Sequence, residues 1–300
     1  PLRVLRGMQF LARFRLKAVE ETIALCRKLS PEYLSAERIY EEFKKYILFG
    51  QDMMGGLSFL QDVHWLSFFP ELAAMETCQQ DTLYHPEGTV LTHIKYAMNA
   101  FRSLRPSDHW EALVIGFAIL CHDLGKPACT QWNAVGRICA KGHEWAGVEP
   151  TRQFLLRLRA PQALLREVLP LTAYHMIPRT FSDKNLATMA ALNHLAAAVG
   201  RIDRLLIVAR CDRMGRSGDV PKFDGENCLE AMARASDLLT HPPRPLLLGR
   251  DLVKHFGLAP SPYIGKLMRQ IYEAQLDATF VDRRGALAYA ENLMATMVQK

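Results

Sequence analysis

Apolar residues recur every three or four positions along most of the chain. In residues 2–16 they fall on one side of a helical projection, with arginines mostly elsewhere, as in an amphipathic helix. The same spacing predicts helices at 35–49, 57–64, 89–104, 108–124, 144–158, 161–174, 184–198, 202–214 and 225–239, and three more short helices after 246. Strand-like alternation is scarce, so the sequence predicts an all-α fold.

Breaks in this pattern predict where helices stop. Ser30-Pro31 indicates a stop followed by a new helix start, since proline suits the first helical turn. The most apolar helix, 108–124, is predicted to end at Gly125 with Pro127 beyond it, the usual punctuation of a C-terminus. Residues 129–141 are predicted to form a loop. Composition shifts suggest three regions: 1–80, 81–241 and 242–300.

Composition and charge narrow the classes of protein. The 300 residues carry a net charge of +6, which favours a polyanionic partner, although a basic protein without one fits equally well. The longest apolar run, 112–121, is too short to cross a bilayer, so we expect no membrane partner. Seven cysteines without a C-x-x-C pair predict thiols in a reducing, cytoplasmic compartment. Because the chain starts at Pro1 without a leader pattern, we expect further residues upstream.

Metal-binding residue types stand at or near the ends of apolar helices. The helix 108–124 carries His122 and Asp123 close to its end, and similar positions are occupied by His93, His143, His175 and Asp212. Adjacent helical residues point about 100° apart, so the short Asp123 can reach an ion lying between the two directions. A single histidine on a helix is more often a core or cap residue. The prediction of a metal site therefore depends on all six converging.

The order His, His-Asp, Asp resembles the pattern of the HD superfamily of metal-dependent phosphohydrolases. The resemblance implies that the core ligands are His93, His122, Asp123 and Asp212. It implies that His143 and His175 match the extra histidines of two-metal members. We assign the catalytic role to His122, Asp123 and Lys126, acting with a divalent ion that activates water. The identity of the metal is left open, since imidazole and carboxylate accept nickel, manganese, magnesium, zinc, iron and cobalt.

Several other polar residues are candidates for the same pocket. Lys126, Arg213 and Arg216 are predicted to bind phosphate oxygens, with solvated surface charge as the alternative. His85 is interpreted mainly as part of a local turn, and otherwise as a residue that orients substrate at the pocket mouth. Glu144 is interpreted as a first-turn helix charge rather than an acceptor that fixes the tautomer of its neighbour.

Longer stretches resemble one branch of that superfamily, the CCA-adding tRNA nucleotidyltransferase and poly(A) polymerase family. They are PLRVLRGMQFLARF (1–14), GLSFLQDVHWLSFFPELAAM (56–75), HPEGTVLTH (85–93), GHEWAGV (142–148) and the segment 246–280. The resemblance implies a helical HD-domain core at 81–241, flanked by neck and body helices at 1–80 and a C-terminal body and tail at 242–300. The head of the family, with Gly-Ser and Asp-x-Asp, has no counterpart in these residues, and the Glu-Asp-x-x-Arg motif is also missing. We therefore expect no nucleotidyl transfer from this chain alone.

Three functional hypotheses follow. The first is a metal-dependent phosphohydrolase, because bacterial members with an intact HD region resemble phosphodiesterases and phosphatases acting on 2′,3′-cyclic phosphates, 2′-nucleotides and RNA 3′ ends. The alternative is a non-catalytic body that binds tRNA or RNA, in which Tyr263, Tyr272 and Phe280 stack on bases, although their helical spacing favours the core. The third is a degenerate HD fold that binds nothing. The oligomeric state is left open.

Overall fold

The structure, a computed structural model, describes residues 1–182, 187–218 and 224–298. These residues are mostly helical, which confirms the predicted fold class. In chain order the α-helices are α1 (Leu2–Phe14), α2 (Glu20–Cys26), α3 (Ala36–Phe49), α4 (Met53–Asp62), α5 (Pro70–Ala73), α6 (Val90–Leu104), α7 (His109–Cys121), α8 (Lys126–Cys129), α9 (His143–Ala146), α10 (Val148–Arg157), α11 (Gln162–Tyr174), α12 (Ile177–Thr180), α13 (Met189–Val199), α14 (Ile202–Met214), α15 (Gly225–Ala235), α16 (Gly249–Phe256), α17 (Pro262–Leu276) and α18 (Arg283–Val298). A 3-10 turn lies at Trp65–Phe68, and strands β1 (Gln131–Trp132) and β2 (Ile138–Cys139) pair antiparallel.

The chain divides into two compact units. The first contains residues 1–180 and 203–226, and the second contains residues 181–202 and 227–300. The sequence boundary expected near Gln80 falls inside the first unit, and the one near Pro242 falls inside the second. The division into three regions stays a prediction.

Helix α7 forms the centre of the first unit. All ten residues from Ala112 to Cys121 are buried, and the helix packs against α3, α6 and α11. Its N-terminus is capped by Asp108, whose side chain accepts a hydrogen bond from the backbone N–H of Glu111 at 2.9 Å. A helix that is apolar on every side belongs in a core. It therefore provides a rigid support for whatever follows its C-terminus.

The described segment His109–Cys129 is long and apolar enough to cross a membrane, judged by length and composition alone. It exceeds the apolar run 112–121 because the turn after α7 extends the helical segment. However, 83% of its apolar window is buried inside the protein. This burial is typical of a core helix.

Helix α1 is amphipathic as predicted, but its buried face differs from the expected one, because Phe14, predicted on the apolar side with Leu5, is 54% exposed. Val4, Leu5 and Met8 are fully buried against α3 and α4, whereas Arg3 and Arg6 are exposed. Burial of apolar side chains is the main term that holds such a helix in place. The exposed face of α1 remains strongly basic.

Several predicted helix boundaries differ from the structure. No helix starts at Pro31; residues 31–34 form a turn, and α3 begins after Ser35. The loop predicted at 129–141 contains the β1–β2 hairpin. Part of the helix predicted at 184–198 lies outside the described residues, and the described helix starts at Met189.

Gly125 is required for a reason other than helix termination. Helix α7 ends at Cys121, and Gly125 has a φ of −82°, so it is not a left-handed cap. A Cβ at Gly125 would overlap the backbone oxygen of His143 and lie 2.5 Å from the nitrogen of Gly147. Only glycine allows the chain after α7 to approach α9 this closely.

The second unit holds the three predicted C-terminal helices, α16, α17 and α18. They share an apolar cluster that includes Leu252, Leu267 and Ala290, and α13 packs against α17. Phe280 packs against this cluster, and the hydroxyl of Tyr272 donates to the carbonyl of Pro243 at 2.9 Å. These contacts favour packing over base stacking for both aromatic residues.

Candidate metal centre

Six side chains that the sequence singled out meet inside the first unit. Each is at most 7% exposed. His93 lies in α6, His122 and Asp123 follow α7, His143 opens α9, His175 follows α11, and Asp212 lies near the end of α14. The helix ends converge because apolar helices packed around α7 bring their termini to one region. The structure thus brings all six predicted ligands together.

Asp123 lies between two pairs of histidines. Its Oδ2 is 3.3 Å from Nε2 of His122 and 3.8 Å from Nε2 of His93. Its Oδ1 is 3.2 Å from Nε2 of His143 and 3.8 Å from Nε2 of His175. One carboxylate therefore faces two groups of ligand atoms, each compact enough to hold one ion.

Three of the four imidazoles are held in one tautomer by the same local contact. Nδ1 of each ring lies 2.7–2.8 Å from the carbonyl oxygen three residues earlier: Ile119 for His122, Ala140 for His143 and Thr172 for His175. A carbonyl oxygen only accepts hydrogen bonds, so Nδ1 carries the proton. In the neutral ring, Nε2 then presents a lone pair toward Asp123. This is the arrangement of histidines that bind metals through Nε2.

A carboxylate takes the place of the carbonyl for His93. Glu87 Oε1 lies 2.8 Å from Nδ1 of His93 and 2.9 Å from Nδ1 of His85, and Oε2 accepts from the backbone N–H of Ser217 at 3.1 Å. Burial raises the pKa of Glu87, but hydrogen bonds from His85 and His93 outweigh it and hold the pKa far below its usual value. Glu87 is therefore ionised and orients His93.

Asp212 joins the cluster from α14. Its Oδ1 is 3.1 Å from Nε2 of His93. Burial alone would raise the pKa of Asp212, but the neighbouring Arg216 and His93 hold it well below the usual value. The same balance keeps Asp123 ionised, where His122 and Lys126 outweigh burial in lowering the pKa. Both carboxylates are thus negatively charged.

The buried atoms of the cluster fit a bound cation. The buried Nε2 of His122 and Oδ1 of Asp123 make no hydrogen bond to any described residue, which is costly in a protein interior. Nε2 of His143 lies 3.3 Å from Nε2 of His175, so two acceptor nitrogens face each other. Burial lowers the pKa of His175 to about 3, which keeps this ring neutral. Burial also acts to lower the pKa of His93, but hydrogen bonds with Asp212 and Glu87 outweigh it and raise that pKa above its usual value. Imidazoles and ionised carboxylates are the ligand set that divalent transition metals prefer.

The two nearest predicted phosphate-binding cations already pair with these carboxylates. Nζ of Lys126 lies 2.7 Å from Asp123 Oδ2 and donates to Gln80 Oε1 at 2.6 Å. Nη2 of Arg216 lies 3.1 Å from Asp212 Oδ1. The third, Arg213, pairs with Glu226 at 2.9 Å and does not line the cavity described next. The structure does not bring Arg213 to the site.

A cavity of about 660 Å³ opens beside the cluster. Asp123, His143 and Asp212 reach it, as do Lys126 and His85. This volume is typical of small-molecule sites. The cluster is therefore accessible from the cavity although its ligands are buried.

Of two further residues near the cluster, His85 differs from the sequence expectation, whereas Glu144 agrees with it as a first-turn residue of α9. His85 is 9% exposed and packs edge-on against His93 with ring centroids 4.7 Å apart, so its role extends beyond a local turn. Glu144 Oε2 is 3.5 Å from Nδ1 of His143, farther than the carbonyl of Ala140. The carbonyl, rather than Glu144, fixes the tautomer of His143.

This region also contains four residues that were not predicted from the sequence: Glu87, Tyr84, Arg137 and Arg179. Glu87 had a usable signal, because an acidic residue in a turn six positions before His93 lies within reach of its ring. The other three had none. They reach the cavity only through the tertiary fold.

Most of the chain is similar in sequence to multifunctional CCA proteins. No protein-family model matches it. It is 30% identical over 272 residues to the multifunctional CCA protein of Stenotrophomonas maltophilia K279a, covering 85% of this chain and 65% of that protein. It is 32% identical over 229 residues to the multifunctional CCA protein of Pasteurella multocida Pm70, covering 73% and 54%. The chain thus spans between about half and two thirds of these relatives.

Solved structures show a related fold. The crystal structure of the Bacillus stearothermophilus CCA-adding enzyme in complex with CTP matches with a TM-score of 0.59 and 18% identity. The match covers 99% of this chain and 62% of that one. At this identity, the likeness concerns the fold.

Proposed function

Most of the chain is homologous to the CCA-adding enzyme, or tRNA nucleotidyltransferase, family, and on this premise we propose that it is a metal-dependent phosphohydrolase module. The proposed substrates are 2′,3′-cyclic phosphates and related phosphate esters at RNA ends. The observation that carries the proposal is the convergence of six buried imidazoles and carboxylates, among which Nε2 of His122 and Oδ1 of Asp123 lack hydrogen bonds. In this proposal the family's HD region lies in the part of the chain that holds these atoms.

In this proposal, His93, His122 and Asp212 would hold one ion together with Asp123, and His143 and His175 would hold a second ion with the same carboxylate. A divalent metal bound there would supply polarisation of a phosphoryl oxygen and a lower pKa of bound water, toward about 7. Nickel, manganese and magnesium all suit these ligands.

The protein's own residues would do the rest. Glu87 and the three backbone carbonyls hold the imidazoles in the ligating tautomer, so binding requires little reorganisation. Lys126, at the cavity wall, would bind a phosphate oxygen as a point charge. Arg216 would stabilise the ionised form of Asp212, and its guanidinium would make the same cavity wall more positive.

The alternative function is a body that binds tRNA or RNA without hydrolysing it. The names of the relatives favour it, since they are CCA proteins. The exposed arginines of α1 would contact phosphates. The two functions are compatible in one protein, because the metal cluster and α1 use different residues.

Hydrolysis of 2′,3′-cyclic AMP by the purified chain with manganese, nickel or magnesium tests the proposal. We expect turnover that is abolished by His122→Ala and by Asp123→Ala. His194→Ala is the matched control, because this histidine is 44% exposed and pairs only with Asp277 among the described residues. Turnover that survives both site substitutions would refute the site. A tRNA titration at several salt concentrations tests the alternative independently.

The proposal extends to a reducing, cytoplasmic compartment. All seven cysteines are free thiols in the structure. Burial raises the pKa of Cys211 to about 12, so this thiol is unreactive at neutral pH. Its oxidation is therefore not expected to be part of the function.

A further inference from the structure

A second group of side chains lines the cavity next to the metal cluster. The guanidinium carbon of Arg137 lies 5.4 Å from the ring centroid of Tyr84, and that of Arg179 lies 5.2 Å from it. All three residues line the cavity, and none has a part in the proposed hydrolysis. Cation–π contacts of this length fix guanidinium groups in place.

Arg137 is held by its own hairpin. It lies between β1 and β2, and Asn133 Oδ1 accepts hydrogen bonds from the backbone N–H groups of Val135 and Arg137. The side chain donates from Nε to Asp81 Oδ2 at 2.8 Å. Both the backbone and the side chain of Arg137 are therefore ordered before any ligand arrives.

Arg179 brings a second positive charge to the same wall. It lies in the short helix α12, half-buried, and Arg216 also lines the cavity. Burial, followed by the like charge of Arg216, lowers the pKa of Arg179. An anion in the cavity would relieve the repulsion between these two guanidinium groups.

We infer that Tyr84, Arg137 and Arg179 form a second subsite, which binds a phosphodiester of a single-stranded RNA whose end lies at the metal cluster. The placement of the RNA end at the metal cluster rests on the proposed function. Guanidinium groups bind phosphate through paired N–H donors. In this subsite Tyr84 is the positioning residue, and the two arginines contact the ligand.

Two exposed tryptophans that are adjacent in sequence to cavity-lining residues favour a strand over a free nucleotide. Trp132, next to the cavity-lining Asn133, is 71% exposed. Trp145, next to the cavity-lining Glu144, is 56% exposed. Exposed indoles beside a positively charged groove stack on the bases of single strands without sequence preference. A single nucleotide held at the cluster would not need them.

The test compares the binding of a hexanucleotide RNA with a 3′-phosphate and of 3′-AMP to the purified full chain. Binding is measured with manganese present and again with a chelator, and each ligand is checked for hydrolysis after the titration. Tyr84→Leu and Arg179→Gln are expected to weaken hexanucleotide binding by about five- to tenfold more than 3′-AMP binding. Arg179→Gln should also reduce the slope of log K against log salt concentration by about 0.7, the value for one single-strand phosphate.

Two controls make the result specific. Tyr84→Phe keeps the aromatic face and is expected to retain most of the hexanucleotide affinity. Arg152→Gln removes an arginine that is 44% exposed and pairs with Glu149 outside the cavity; it controls for net charge. Melting temperatures identify any variant that fails to fold. If Tyr84→Leu does not fold, Arg179→Gln alone tests the subsite.

Three results would overturn the inference: no hexanucleotide binding by the parent chain, equal losses for the two ligands, or an equal effect of Arg152→Gln and Arg179→Gln. Because the assay measures binding rather than turnover, a chain that hydrolyses nothing can still show the subsite. A chain that hydrolyses cyclic nucleotides but shows no selective loss retains the proposed function and lacks the subsite.

Discussion

The buried Glu87 carboxylate accepts a hydrogen bond from Nδ1 of His93 at 2.8 Å and thereby turns Nε2 of that ring toward Asp123. Glu87→Gln removes the charge while keeping the size of the side chain. We expect the affinity for manganese or nickel to fall by about tenfold to a hundredfold, because outer carboxylates set the orientation and basicity of ligating histidines. Isothermal titration of the metal-free protein measures this.

Glu149→Gln is the matched control for that substitution. Glu149 is 64% exposed and pairs with Arg152, so its loss should leave metal affinity within about twofold, as expected for a solvated pair. Equal effects of the two substitutions would show that Glu87 acts only through net charge.

Asp123 lies between both pairs of histidines, so its removal should affect more bound metal than the removal of any one imidazole. We expect Asp123→Ala to lose all tightly bound metal. His93→Ala and His175→Ala, on opposite oxygens of Asp123, should each retain part of it. Elemental analysis after dialysis gives the stoichiometries. Full metal content in Asp123→Ala would contradict the shared arrangement.

Gly125→Ala should destabilise the first unit. The new methyl group would overlap backbone atoms of His143 and Gly147, and backbone cannot move aside as a flexible side chain can. We expect a loss of about 1–3 kcal/mol, typical of overpacking, measured by urea unfolding. Gly265→Ala is the control, because a Cβ there meets no atom within 4 Å; it should be neutral or stabilise its helix by up to about 1 kcal/mol.

Arg204 in α14 links this helix to α7 and α11 of the first unit, because it pairs with one glutamate on each. Its guanidinium pairs with Glu111 at 2.6 Å through Nε and also with Glu167, and its side chain is 9% exposed. Arg204→Met should cost about 2–4 kcal/mol, because two carboxylates lose a largely buried partner. Arg234→Met, which breaks an exposed pair with Glu230, should cost less than about 1 kcal/mol. Chemical unfolding of both variants compares the two.

The six candidate ligand residues could be singled out from the sequence because they interrupt apolar helical spacing. A polar pair directly after the buried run of α7 has few explanations, and the histidines at other helix ends share that feature. Their convergence follows from packing helices around one core. The two oxygens of Asp123 and the fixed tautomers did not follow from the sequence, since they depend on atomic positions.

Other features lacked a local signal. The strands of the hairpin have two residues each, too few to show alternation. Arg213 and Arg216 are three positions apart on one chain segment, and only packing decides that Arg216 faces the cluster while Arg213 pairs with Glu226. Gly125 looked like a helix terminator because its steric role depends on α9, which follows later in the chain.

Nε2 of His93 and Oδ1 of Asp212 lie 3.1 Å apart, although 119 positions separate the two residues along the chain. Contacts between such distant positions form late in folding, after loop-closure entropy has been overcome. If the cluster binds an ion as proposed, tight metal uptake would require the helices that carry its residues to be docked around α7. In refolding experiments, the ion would act as a reporter of the final assembly step, appearing after helical circular dichroism has recovered.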